Sequence, residues 1–245
     1  MRAAALALLL AAAAPAATWH VIVGGLGGQP EYESRFASLA ADMQKLAAGP
    51  GTQVEVLSGA AATKAALKAA LEKAAAAQPG DTFVLTLIGH GTWDQIEYKF
   101  NIPGPDVTAT ELASWLAPIR CPQLVVLATS ASGGAVEALK RENRAVIAAT
   151  RTGTERNAVV FPRYWVEAFR DANADTDKNG AVSALEAFRY ADKRTKDFYD
   201  TQKRLATEHP VLEDTGVKEA VREPSPANRQ GLLASRLQGG RFGAL

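Results

Sequence analysis

Two short stretches hold residue types suited to covalent chemistry on a substrate. Gly89-His90-Gly91 sets an imidazole between glycines, and Thr129-Ser130-Ala131-Ser132-Gly133-Gly134 offers small alcohols followed by glycines. An imidazole that takes a proton and a side chain that attacks make a nucleophilic hydrolase, and the glycines would let a substrate approach the backbone closely. A lone histidine after a strand has the plainer role of structural hydrogen bonder; the pairing of the two stretches is what points to chemistry.

A third stretch suits a hard cation. Asp175-Thr176-Asp177-Lys178-Asn179-Gly180-Ala181-Val182-Ser183-Ala184-Leu185-Glu186 fits the twelve-residue EF-hand pattern, with side-chain oxygens at positions one, three and five, glycine at six and glutamate at twelve. In this register calcium is the expected ion, and Asp175, Asp177, Asn179, Ala181, Ser183 and Glu186 are its expected ligands. Asp171 and Asn173 offer a shifted register. An alternative reading of the same residues is an Asp/Asn-rich turn that caps a helix starting near Ser183.

The elements that must position these residues follow from hydrophobic spacing. His20 to Val23, Gln53 to Leu57, Thr82 to Ile88, Leu124 to Ala128 and Ala145 to Ala149 are short, nearly continuous apolar runs, the pattern of strands buried on both faces. Between them lie helical patterns: Phe36, Leu39, Met43 and Leu46; then Leu67 and Leu71 in an Ala-rich segment opened by Thr63; then Leu112, Trp115 and Leu116 behind a Thr108/Glu111 capping box. Alternating strands and helices predict an α/β fold with a mostly parallel sheet flanked by helices. In such sheets ligands collect beyond the carboxyl ends of the strands. Those ends are Gly24 to Gly28, Gly89 to Gly91, Thr129 to Gly134 and Thr150 to Gly153. After about Glu155 the pattern turns helical, including Tyr164 to Arg170 and Ala184 to Tyr190. Residues 216–245 read as a loosely ordered tail in which Leu232, Leu233 and Leu237 could dock.

Residues 1–17 run from Met-Arg through an Ala/Leu stretch to Ala14-Pro15-Ala16-Ala17, the plan of a cleaved secretory signal peptide. The apolar run is shorter than the roughly 20 residues of a spanning helix, so no membrane attachment is expected after cleavage. A periplasmic or secreted location follows. Lys plus Arg number 27 against 26 Asp plus Glu; without Arg2 the two balance, and nucleic acid is not an expected partner. The single cysteine, Cys121, excludes an intramolecular disulfide.

His90-Gly91 and Ser130-Ala131-Ser132-Gly133 together resemble the His-Gly and Cys-x-Ser-Gly steps of the legumain-like and caspase-like cysteine peptidases. The opening His20-Val21-Ile22-Val23-Gly24-Gly25 and the later Val146-Ile147-Ala148-Ala149-Thr150-Arg151 are similar to that family's exported bacterial members, and the likeness spans residues 19 to 190. The resemblance implies a caspase-like three-layer sandwich over residues 18–215, with the loop at 175–186 inside it, and a peptide or protein as substrate or ligand. It also implies that residue 130 attacks a scissile carbonyl, that His90 manages the proton and that the Gly91 amide helps hold the oxyanion.

Ser130 stands where the family has its cysteine. A thiol ionises near pH ~8.5, whereas a hydroxyl stays protonated and needs a tightly held base. Asp94 is the nearest carboxylate in sequence to orient His90. Cys121 precedes its strand and is a poor substitute nucleophile. The expectation is therefore a weak or inactive peptidase homologue, set against a working serine variant and a non-catalytic peptide-binding module. A separate esterase-like reading uses Ser132 as nucleophile with His209 as its late histidine. Arg151, Glu155 and Arg156 are candidates to line a specificity pocket.

Overall fold

The structure is a computed structural model that describes residues 16–241. The leader-like segment lies largely outside the described residues. The chain begins with β1 (Thr18–Gly24), α1 (Pro30–Ala47), β2 (Thr52–Ser58), α2 (Lys64–Ala74) and β3 (Thr82–Gly89). Three short strands follow, β4 (Gly91–Trp93), β5 (Tyr98–Phe100) and β6 (Val107–Thr108), then α3 (Ala109–Leu116) and β7 (Gln123–Thr129). The remainder is α4 (Val136–Leu139), β8 (Arg144–Ala148), α5 (Phe161–Ala168), α6 (Ala184–Thr201) and β9 (Val211–Glu213).

A six-stranded sheet in the order β2-β1-β3-β7-β8-β9 forms the centre, parallel except for β9. Its inner strands are apolar along their length because both faces are covered. Leu67 and Leu71 of α2, Leu112 and Leu116 of α3 and Leu139 of α4 bury one face. Phe36, Met43 and Leu46 of α1 bury the other, with Trp165 of α5 and Phe188 of α6. These are the three layers that the alternation predicts. Among the described residues no helix is long and apolar enough to cross a membrane.

Each of the five predicted strands forms, within a residue or two of its expected ends. The Thr108/Glu111 capping box starts α3 with both reciprocal bonds made. The antiparallel β4-β5-β6 sheet and β9 were not expected, since strands of two or three residues carry too little periodicity to read. The segment after 216 also differs from a loose tail. Val221 bridges to Leu212 of β9, and the Asp214 carboxylate accepts amide hydrogens from Gly231, Leu233 and Ala234. Leu237 is buried and Leu233 partly so, whereas Leu232 stays exposed.

Candidate functional site

The register that pairs Gly89 with Thr129 sets His90 and Ser130 side by side at the carboxyl edge of the sheet, each the first residue beyond its strand. The two side chains then part. The His90 ring lies edge-on against Tyr32 and Phe36 of α1, with centroids 4.8 and 5.0 Å away. Burial lowers its pKa, so the neutral imidazole, able to accept a proton, is the favoured form. The Ser130 hydroxyl turns instead to the backbone of Gly91. It accepts from the Gly91 amide at 3.1 Å and donates to the Gly91 carbonyl at 3.1 Å.

Ser130 is only 2% exposed. Among the described residues no side-chain hydrogen bond reaches the His90 ring. An attacking alcohol needs a base within about 2.6–3.2 Å, and here the alcohol already accepts from and donates to the backbone of one residue, Gly91. The Gly91 amide points at the alcohol itself, at the place where it would otherwise meet an oxyanion.

The glycines around the site make room for the protein's own chain. A Cβ at Gly91 would lie 2.4 Å from the Tyr98 ring and 2.6 Å from the Ser130 carbonyl oxygen. At Gly133 it would meet the Arg151 backbone at 2.3 Å, and at Gly134 the Trp93 ring at 2.6 Å. The small antiparallel sheet and the loop after β8 thus occupy the space that sequence reasoning reserves for a substrate. Between the strand tips, Tyr98 and Thr129 are joined hydroxyl to hydroxyl at 2.6 Å.

Asp94 does not orient His90. Its carboxylate takes the Lys99 ammonium at 2.8 Å and the amides of Ile96 and Glu97, which closes the β4-β5 turn. The Lys99 bond, then those amides, hold its pKa far below the ordinary carboxylate range.

The esterase constellation is not assembled either. Ser132 is fully buried; its oxygen accepts the Thr150 amide at 3.1 Å and lies 3.3 Å from the Thr150 hydroxyl. The left-handed residue of this turn is Ala131, at φ 55°, and not Ser132. His209 puts its Nδ1 against Glu155 at 2.6 Å. Cys121 is buried at the opposite end of β7, and burial pushes its thiol up to about 11.

Arg151 and Arg156 are exposed, while Glu155 ties the edge together. Its carboxylate accepts from the amides of Arg151 and His209, and its carbonyl accepts the Ala131 amide at 2.8 Å. Next to His209, the buried Glu208 carboxylate receives the amides of Val160 and Phe161 at the start of α5 and the Tyr199 hydroxyl. Sequence reasoning placed Thr150 at a strand end without giving it its partners Ser132 and Gly133, and it missed Glu208. Glu208-His209-Pro210 lies in no periodic element, and only an acidic residue beside a histidine hinted at it.

The predicted cation loop forms a tight turn between α5 and α6. One carboxylate oxygen each from Asp175, Asp177 and Glu186 lie within 4.8 Å of one another. Gly180 adopts φ 82°, as the sixth position requires. Asp175 accepts from the Asn179 and Gly180 amides, and Asp177 from the Asn179 amide and side chain. Glu186 is shared: one oxygen serves Thr176, and the other closes a capping box with Ser183 at the head of α6. Burial raises its pKa, but the hydrogen bonds from Ser183 and Thr176 outweigh it, and the carboxyl stays below its usual value. Three of the six expected cation ligands thus converge, and the helix that starts near Ser183 is capped by Ser183 and Glu186 rather than by the Asp and Asn side chains of the turn. The donor set fits a hard cation, since it is all oxygen and partly buried. Asp171 is bonded to Tyr190 and Asn173, which leaves the register beginning at Asp175 as the one with converging carboxylates.

These features define a three-layer α/β sandwich with a mostly parallel six-stranded sheet and an acidic loop between its last two helices. No protein-family model matches the chain, and no curated protein matches it. Among solved structures it is similar to the protein GSU0716 of Geobacter sulfurreducens, with a TM-score of 0.58 at 16% identity over 93% of this chain and 99% of that one. It is also similar to the Drosophila initiator caspase Dronc, with a TM-score of 0.48 at 10% identity over 90% of this chain and 84% of that one. At 16% identity the likeness to the Geobacter protein is one of fold.

Proposed function

We propose that this chain is an exported homologue of the legumain-like and caspase-like peptidases that no longer hydrolyses peptides and that binds a peptide or protein. The observation that carries this reading is the Ser130 hydroxyl. It is bonded on both sides to Gly91, and the neighbouring imidazole is packed on α1. The two sequence steps, each directly after its strand, supply the peptidase ancestry. The leader-like residues 1–17 supply the export, and calcium in the 175–186 loop would fasten the helical layer.

A panel of fluorogenic peptides offered to the parent and to Ser130→Cys tests the proposal. A thiolate attacks without a strong base, so the variant is expected to cleave slowly and to lose that cleavage with His90→Ala, while the parent stays silent. Cleavage by the parent would establish a serine peptidase instead. Silence from both would favour binding alone.

A further inference from the structure

A groove of about 350 Å³ lies between α1, the turn entering α5 and the second half of α6. Its floor is apolar, built by Leu39, Val160, Pro162 and Phe198, and its rim carries Arg35 and Arg163. No acidic side chain lines it. Among the described residues Arg35 forms one ion pair, with Glu31 one turn back at 3.0 Å, where the two side chains are 45% and 77% exposed, and its guanidinium stands over the Tyr32 ring at 5.3 Å; pairs so open to solvent hold their partners weakly. Arg163 has no carboxylate within ion-pair distance among the described residues. Its guanidinium stands over the Tyr164 ring at 5.4 Å, and Arg194 approaches that ring at the same 5.4 Å.

The floor is also held in shape beforehand. Glu208 takes the amides of Val160 and Phe161, so the helix start beneath the groove is already capped and its positive end already matched. What remains unmatched is an apolar trough beside a guanidinium. That combination recognises a ligand with an apolar chain and one anionic head, because a neutral chain leaves the charge-assisted bond unmade and a cation is repelled. The volume is at the lower end of the roughly 300–1,000 Å³ typical of small-molecule sites.

We propose that this groove binds an apolar monoanion of the alkyl-carboxylate class, with the chain on Leu39, Val160 and Phe198 and the carboxylate on Arg163, assisted by Arg35. Neither His90 nor Ser130 lines the groove, so the site stands or falls apart from the hydrolytic reading.

Calorimetric titration of the full protein at neutral pH with octanoate, octan-1-ol and octylammonium tests it. Octanoate is expected to bind at least about tenfold more tightly than the other two, and Arg163→Gln to weaken octanoate about tenfold while leaving octan-1-ol unchanged. Ser38→Trp, on the exposed rim of α1, is expected to block the groove, with an unchanged melting temperature reporting that the variant folds. Equal binding of octanoate and octan-1-ol, no response to Arg163→Gln, or no binding of octanoate would each overturn the proposal.

Discussion

Gly91 is the residue on which the candidate site turns, since it follows the imidazole and holds the alcohol through its own amide and carbonyl. A methyl group there has no room. It would meet the Tyr98 ring at 2.4 Å and the Ser130 carbonyl at 2.6 Å, and the second of these is backbone between two core elements. Overpacking of this kind costs about 1–3 kcal/mol or more, so Gly91→Ala is expected to lower unfolding free energy by about 3 kcal/mol in urea titration. Gly80→Ala is the control, because a Cβ at Gly80 meets nothing within 4 Å; it is expected to stay within about 0.5 kcal/mol of the parent. Equal effects from the two changes would mean that the close approach at Gly91 carries no load. The same geometry explains why a glycine-flanked histidine invites a substrate in sequence and meets Tyr98 in the fold. A sequence tells that backbone must come close, and only the packing tells whose.

Among the elements, the start of α5 is held by a buried acid. Burial, against hydrogen bonds from the Val160 and Phe161 amides and the Tyr199 hydroxyl, raises Glu208 to about 7 from its ordinary 4.5, and the nearby Glu155 adds to the rise. The folded state therefore holds this proton more tightly than the unfolded chain does. The stabilisation is fully present below the ordinary value and is lost as pH rises through about 7. His20 works in the opposite sense: burial lowers it to about 4, so its contribution weakens as pH falls below its ordinary 6.5. Comparing the parent with Glu208→Gln separates the two. The stability difference between them is expected to move against the parent by about 1–3 kcal/mol between pH 5 and pH 8 in urea titrations, and a constant difference would show that Glu208 does not titrate in this range. The long elements were legible because their periods repeat: each two-face strand was a nearly continuous apolar run, and the cap at Thr108 was spelled out by an acidic residue three places on, whereas the same Ser183/Glu186 spacing was hidden inside the cation-loop pattern. The strand tips were legible as places, because strand ends locate themselves. The direction of the His90 ring was not, since it depends on Tyr32 and Phe36, more than fifty residues away in sequence. The Glu208 anchor was hidden for the same reason: the two amides it holds are forty-seven and forty-eight positions away.

For the whole molecule, the question is what fastens the helical layer that follows the sheet. The chain leaves β8 through a long loop, packs α5 and α6 against each other, and returns to the sheet only at β9. Asp214 anchors the last segment by gathering the amides of Gly231, Leu233 and Ala234, so the end of the described chain is tied to the edge beyond β9. The turn between α5 and α6 is shaped by its carboxylates, by backbone amides and the Thr176, Asn179 and Ser183 side chains, and by Ala174 and Val182 buried beneath it. Three carboxylates converging within 4.8 Å repel one another unless a cation or a proton joins them. Calcium at several millimolar, acting on a site of extracellular-type affinity near 10⁻⁴ M, would stabilise the fold by about 2 kcal/mol. For a domain of this size that is a rise in melting temperature of roughly 4–8 °C. Glu186→Ala alone would be ambiguous, since Glu186 also caps α6. Asp177 is exposed, and its carboxylate bonds only to Asn179 among the described residues, its amide donating to Glu186. Asp177→Ala is therefore expected to melt near the parent without calcium and to lose most of the calcium-induced rise, with magnesium giving a smaller shift in both. If the parent melts at one temperature with and without calcium, the loop is a helix cap whose carboxylates are satisfied by amides alone, and α6 owes its position to the Ser183/Glu186 box and its packing on α5.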